Sequence, residues 1–241
     1  MRALVELIEK YRPGFAATVV PAEEEEVELL DERVGPLPGA YQRFLHTMGS
    51  SMGDFHIDEG SFSADAILST YGAMEWLVRN RYLLVGVDGS LTSDWDYFLD
   101  RNFLHARDDA RVVRIRQDPA CDPDGHMLCH AGLEEMLYYE AYATIRLPLL
   151  AYKVGLRRPR NEARAQNCRA EVACALAEEL KFKRVPPATR CALYERGDAA
   201  ILLYQHPVEP AFSLEIAGDD AREVARLAEI FRSRAGVIDA R

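Results

Sequence analysis

The feature that most limits the fold lies between Arg81 and Ile115. Here the spacing of apolar residues turns from helical to strand-like, and no helix separates one strand from the next. RYLLVGV (Arg81 to Val87) predicts a strand and Asp88-Gly89-Ser90 a turn. DWDYFLD, from Asp94, alternates Trp95, Tyr97 and Leu99 with Asp96, Phe98 and Asp100. RVVRI (Arg111 to Ile115) follows after a charged turn. Parallel strands need a long crossover, usually helical, so these segments are expected to form a small, mostly antiparallel sheet.

Helical patterns flank that sheet. Leu4, Leu7, Ile8 and Tyr11 predict a helix over 3–11, stopped by Arg12-Pro13-Gly14. A second is expected over 22–34, with Glu23 to Glu26 suiting the positive end of its dipole and Gly35 free to close it. Consecutive helical positions fan around the axis, so those four carboxylates cannot converge on one ion. In LPGAYQRFLHTMG, Pro38 suits a first turn, Tyr41, Phe44, Leu45 and Met48 share a face, and Gly49 ends the helix. Ser63 is a candidate cap for a helix carrying Ile67, Leu68, Tyr71, Met74 and Leu77. Leu133 to Tyr142 returns to helical spacing.

LRRPRNEARAQN (Leu156 to Asn167) is a basic stretch without large apolar groups after Leu156, and it predicts a junction between residues 1–155 and 156–241. Beyond it come a helix centred on Val172, Ala175 and Leu176, strand-like TRCALYE, AILLYQH and FSLEIAG, and a last helix. That helix starts near Asp220, with Glu223 placed for a capping box. The fold class is therefore α+β: a small antiparallel sheet with helices, plus a C-terminal α-β-β-β-α block that stands alone or extends the first sheet.

Charge restricts the partners. Through Leu150 the chain carries 26 acidic and 13 basic residues, net −13; from Ala151 it carries 13 and 16, net +3. An acidic front half disfavours a broad nucleic-acid footprint, which needs excess positive charge, and it suits a basic protein partner. No apolar run approaches the roughly 20 residues needed to cross a bilayer, and charges interrupt the N-terminus too early for a secretory signal. With five irregularly spaced cysteines, these features lead to the expectation of a cytoplasmic protein with reduced thiols and no membrane partner.

No coherent catalytic set emerges. MGSSMGD lacks the GxGxxG spacing, and Ser50 and Ser51 lack a GxSxG context. Cys121, His126, Cys129 and His130 could surround zinc, with a small metal-dependent hydrolase as the corresponding function. The adjacent Cys129 and His130 would need a tight bend to face one ion, so an unligated turn and strand is favoured and neither metal nor cofactor is expected. Asp94, Asp96 and Asp100 are expected as solvent-facing strand positions. Trp76, Trp95, Tyr97, Phe98 and Phe103 either pack the sheet on its helices or leave an aromatic beside acids as a protein-binding anchor.

The order of these segments resembles the SUKH superfamily, which includes bacterial immunity proteins and relatives of a fungal cell-wall synthesis regulator. The likeness runs from about Pro21 to Tyr142. An acidic helix precedes an L-P-x-x-[YF]-x-x-[FL]-L helix, here Leu37, Pro38, Tyr41, Phe44 and Leu45 with Gly49 close behind. A D-G turn, Asp88-Gly89, then precedes an aromatic-rich strand holding Trp95 and Tyr97. LEEMLYY resembles the later closing helix. The resemblance implies a noncatalytic binding protein, most simply an immunity protein that blocks a toxin, with a general regulatory or scaffold protein as the alternative. Its structural positions would be Pro38, Tyr41, Phe44, Leu45 and Gly49. Asp88, Asp94, Trp95, Asp96 and Tyr97 are the candidate rim that meets a protein partner such as a basic toxin.

Overall fold

The computed structural model describes residues 1–73, 81–89, 95–105, 108–116, 126–161, 165–166, 168–186 and 190–240. The chain divides into two units, Met1–Leu137 and Tyr138–Arg241, and both combine helices with antiparallel sheet. Among the described residues no helix is long and apolar enough to cross a membrane.

The first unit opens with α1 (Arg2–Tyr11), which buries Leu4 and Ile8 one turn apart and ends where Pro13 removes a donor. The short strand β1 (Val19–Val20) leads to α2 (Glu24–Val34), which starts two residues later than its pattern suggests. Ala22 is held outside the helix, its N–H donating to the Leu45 carbonyl at 2.9 Å. Glu23 and Glu26 close a capping box, Glu23 N donating to Glu26 Oε2 at 3.0 Å. Glutamate does here what serine or threonine usually does, and the remaining first-turn acids suit the dipole.

In α3 (Gly39–Met48) Pro38 is the cap residue, extended at ψ 140°, and Tyr41, Phe44, Leu45 and Met48 are all buried. Gly49 follows its last residue at a position with no space for a side chain: a β-carbon there would stand 2.6 Å from the Leu45 backbone. The strand β2 (Ser51–Met52) then pairs with β1. After β3 (Gly60–Ser61), Ser63 caps α4 (Ala64–Ala73) by accepting from Ala66 N at 3.3 Å. Positions Met74 and Leu77 of the expected apolar stripe lie outside the described residues, as does Trp76.

The expected antiparallel sheet is present as a meander. Its strands β4 (Tyr82–Asp88), β5 (Trp95–His105), β6 (Asp109–Arg116) and β7 (Met127–His130) lie in the order β3-β4-β5-β6-β7. Both faces of β4 are covered, since Tyr82 through Gly86 are all buried. Tyr97, Phe98 and Leu99, neighbours that point to opposite faces, are likewise buried.

Two adjacent aspartates where β6 begins tie helices to this sheet. Asp108, at φ 55°, accepts from Gly39 N at 2.7 Å at the start of α3. Asp109 caps α5 (Leu133–Ala141), accepting from Leu133 N at 2.9 Å and Glu134 N at 3.1 Å as well as from its neighbour Ala110 N at 2.8 Å. Burial pushes the Asp109 carboxyl above its ordinary pKa, against the pull of those three N–H donors.

The second unit begins within α5 and continues through a π-helical turn, Tyr142–Arg146, to β8 (Tyr152–Arg157). The expected junction at 155/156 falls inside that strand. β8 runs antiparallel to the distant β12 (Phe212–Gly218), so the unit starts before it. Between them come α6 (Ala170–Glu179), β9 (Lys183–Val185), β10 (Ala192–Arg196) and β11 (Ala199–Gln205). After β12 the chain forms α7 (Ala221–Ala235) and a final β13 (Ile238–Asp239). The sheet order is β13-β8-β12-β11-β10-β9, a separate sheet from that of the first unit, with one more strand between its two helices than the sequence suggests.

One face of this sheet, with Leu156, Tyr194, Ile201, Leu203, Leu214 and Ile216, joins a single apolar core with Leu176, Val224, Leu227 and Phe231 of the two helices. The buried stripe of α6 is Ala170, Ala173, Leu176 and Ala177, which leaves Val172 exposed and corrects the expected centring on Val172 and Ala175. At α7 the Asp220 side chain accepts from Arg222 N at 2.7 Å. Glu223 serves two arginines instead, accepting from Arg226 at 2.7 Å and Arg196 at 2.6 Å. Those two guanidinium groups hold its carboxyl down at about 2.

Candidate functional site

Four of the five candidate rim residues meet at one end of the first sheet, and the group that gathers three of them is Arg114. Antiparallel register sets Arg114 opposite Tyr97 on β5, with Gly86 of β4 opposite Tyr97 in turn. Residues directly opposite share a face, so the guanidinium lies over the Tyr97 ring, 4.6 Å from its centroid. A β-carbon at Gly86 would come within 2.5 Å of the Phe62 ring, and the bare glycine lets Phe62 pack at 5.2 Å from Tyr97.

The polar network follows from that packing. Arg114 donates to Asp88 Oδ2 at 2.5 Å and to the Trp95 carbonyl at 3.0 Å, and lies 3.6 Å from Asp58 Oδ2. Tyr97 Oη donates to the same Asp58 oxygen at 2.5 Å. Asp58 holds this place from a left-handed backbone at φ 49°, a conformation that aspartate tolerates better than most residues. Asp96 reaches the network from the neighbouring position, accepting from Asp88 N at 2.9 Å.

Asp96 and Asp100 are buried, at 1% and 2% exposure, which corrects their assignment as solvent-facing. Alternation of apolar and acidic residues implied an open face, but β5 is a central strand with cover on both sides. Each carboxylate has a partner that makes its burial tolerable. Asp100 accepts two bonds from Arg81, at 3.1 and 2.8 Å, an arrangement suited to a guanidinium fork. Asp88 and Tyr97 are also buried, so they shape the site from beneath instead of forming its rim. The parts that meet solvent are Asp58, Glu59 and Gly89, with Trp95 half-buried under the Arg116 guanidinium 5.1 Å from its ring centroid. Asp94 lies outside the described residues.

Arg114 and Asp58 are the members that sequence reasoning missed. Arg114 had a signal: once the β5–β6 pairing is set, it falls opposite Tyr97. Asp58 had none, because it comes from a loop 39 residues before the tyrosine it binds. Chemically, the cluster balances carboxylates with a guanidinium and presents an exposed Asp58 carboxylate fixed by Tyr97 Oη and Arg114. That is a display geometry.

A second acidic surface lies on α2, where Glu24, Glu25, Glu28 and Glu32 are exposed and His46 of α3 stands 3.7 Å from Glu24. The described part of the histidine–cysteine stretch is β7 and the residue before it. Cys129 and His130 are consecutive on β7 and so point to opposite faces. His126 lies against the Tyr82 ring at 5.9 Å, and Cys129 Sγ faces the Met127 carbonyl at 3.4 Å. Burial lowers the pKa of His130, which stands 3.9 Å from Glu135. Cys121 lies outside the described residues.

Compared with known proteins, the chain matches no family model, no curated protein and no solved structure.

Proposed function

We propose that this protein is a noncatalytic, cytosolic protein-binding factor of the SUKH-like kind, an immunity protein that neutralises a basic toxin by direct contact. One observation carries the reading: residues 1–137 hold 25 acidic against 12 basic side chains, whereas residues 138–241 carry a net +3. That acidity is displayed on the exposed glutamates of α2 and, beside the sheet, on Asp58 and Glu59. Such a surface attracts a basic partner over distance and repels nucleic acid, and a half-buried tryptophan beside it can anchor the contact. The SUKH resemblance supplies the toxin.

The test begins with the protein encoded beside this one, co-expressed with the wild type or with a variant combining Glu24→Lys, Glu25→Lys and Glu28→Lys. Wild type should rescue growth from a toxic basic neighbour and bind it with an association rate that falls steeply with salt. The triple variant should bind at least about tenfold more slowly, as charge steering predicts. Rescue without physical association, or association indifferent to both salt and charge reversal, defeats the reading.

A further inference from the structure

The second unit contains a cleft of about 500 Å³ where β8, β11 and β12 end, lined by Arg157, Arg158, Arg160, Tyr204, His206 and Phe212 among others. Its shape follows from local hydrogen bonding. Arg158 N donates to the Phe212 carbonyl at 3.0 Å, extending the β8–β12 ladder by one residue before Pro159 ends it. His206 N donates to the Ala211 carbonyl at 2.9 Å, which closes the β11–β12 connection.

That connection also fixes an imidazole. His206 Nδ1 accepts from Val208 N at 3.3 Å and from Glu209 N at 2.9 Å. An acceptor nitrogen carries no proton, so the ring proton sits on Nε2 and makes it a donor. Arg157 adds a guanidinium whose Nε–H is buried with no acceptor among the described residues. Burying a charged donor without an acceptor is costly, and an anion in the cleft would supply one. Arg158 is anchored through Nε to the Cys168 carbonyl at 3.3 Å, and Arg160 is exposed.

We infer that this cleft binds a small organic phosphate monoester of the nucleoside monophosphate class. Of the three lining arginines Arg158 is engaged elsewhere, which leaves the guanidinium groups of Arg157 and Arg160 in a lining whose one carboxylate is Glu209. A phosphate monoester brings about −1.5 to −2 at pH 7, and guanidinium forks match its oxygens. The volume exceeds what a bare phosphate fills and lies within the range of small-molecule sites. Tyr204, Pro210 and Phe212 supply an apolar wall for the organic body. This inference is independent of the toxin-binding reading, which rests on residues 1–137.

Calorimetric titration of the full chain with adenosine monophosphate, inorganic phosphate, adenosine and a single-stranded oligonucleotide tests it. The monophosphate should bind saturably at one site per chain, phosphate more weakly, and adenosine without measurable affinity. Arg157→Gln with Arg160→Gln should weaken monophosphate binding at least about tenfold, the scale of lost charge-assisted bonds. Arg160→Gln alone, at an exposed position, should weaken it in the same direction while circular dichroism and thermal midpoint stay at wild-type values. Absence of saturable monophosphate binding, binding unchanged by these variants, or binding of the oligonucleotide alone would overturn the assignment.

Discussion

Gly132→Ala tests whether the Asp109 cap holds the first unit together. A β-carbon at Gly132 would stand 2.4 Å from Asp109 Oδ2 and 2.9 Å from its Cγ, so the carboxylate must move. It has little room, being buried and bound to three backbone N–H groups. The bond from Glu134 N to Oδ2 breaks first. A buried donor left without a partner costs about 1–3 kcal/mol, and a lost helix cap about 0.5–2 kcal/mol. Both figures describe the loss of that same part-buried cap bond, so they do not add; alanine returns less than about 1 kcal/mol through the unfolded chain, which leaves a net loss of about 1–2 kcal/mol. Urea unfolding followed by tryptophan fluorescence reads this unit selectively, because both tryptophans, Trp76 and Trp95, belong to it. The decisive comparison is a cycle with Asp109→Ala. With the carboxylate gone, the added methyl has nothing to displace, and Gly132→Ala should cost close to nothing. A full cost persisting in that background, or a Gly132→Ala protein as stable as wild type, refutes the reasoning.

The other expectations concern charge. Asp109 has a folded pKa above its unfolded value, so it carries a charging penalty at neutral pH that is relieved on acidification. Wild type should therefore gain stability relative to Asp109→Ala as pH falls through the folded value, measured by urea midpoints across the acid range. Arg114→Met should destabilise the first unit by about 3 kcal/mol, because the buried Asp88 loses the guanidinium that balances its charge, whereas Asp58→Asn at a largely exposed side chain should cost less than about 1 kcal/mol. Glu223→Gln should cost at most about 1 kcal/mol, because solvent screens this pair. Its folded pKa of about 2 lies below the unfolded value, so that contribution is present above pH 4.5 and lost as pH falls toward 2, which differential scanning calorimetry across pH would show.

Helices and turns were legible because their causes are local. The stripe in α3, its bounding Pro38 and Gly49, and the short apolar runs of β4 and β6 all follow from neighbouring residues. FSLEIAG matches β12 residue for residue. What escaped depends on distant partners. The strand YKVGLR is not legible in the sequence, because what makes it one is pairing with β12, whose nearest partner lies 56 residues on. The burial of Asp96 and Asp100 could not be read from β5, because alternation reveals two faces without saying what covers each. Likewise Val172 reads as an apolar anchor of α6, yet the buried side is Ala170, Ala173, Leu176 and Ala177, and three of those four carry only a methyl group that gives a weak apolar signal. At the candidate site, Trp95 and Tyr97 were visible as aromatics among acids, but the guanidinium that organises Tyr97 with Asp88 sits on another strand.

The paired caps at Asp108 and Asp109 bear on how the chain matures during synthesis. Helix α3 leaves the ribosome with the Gly39 N–H unsatisfied, because its acceptor lies 69 residues further along the polypeptide. The acidic N-terminal region therefore lacks this native bond until the β5–β6 turn has been made, and Asp109 gains its contacts to α5 only once that helix follows. Slowing translation between these points would prolong an intermediate with apolar α3 side chains still unprotected, a window in which chaperone capture or aggregation competes with folding.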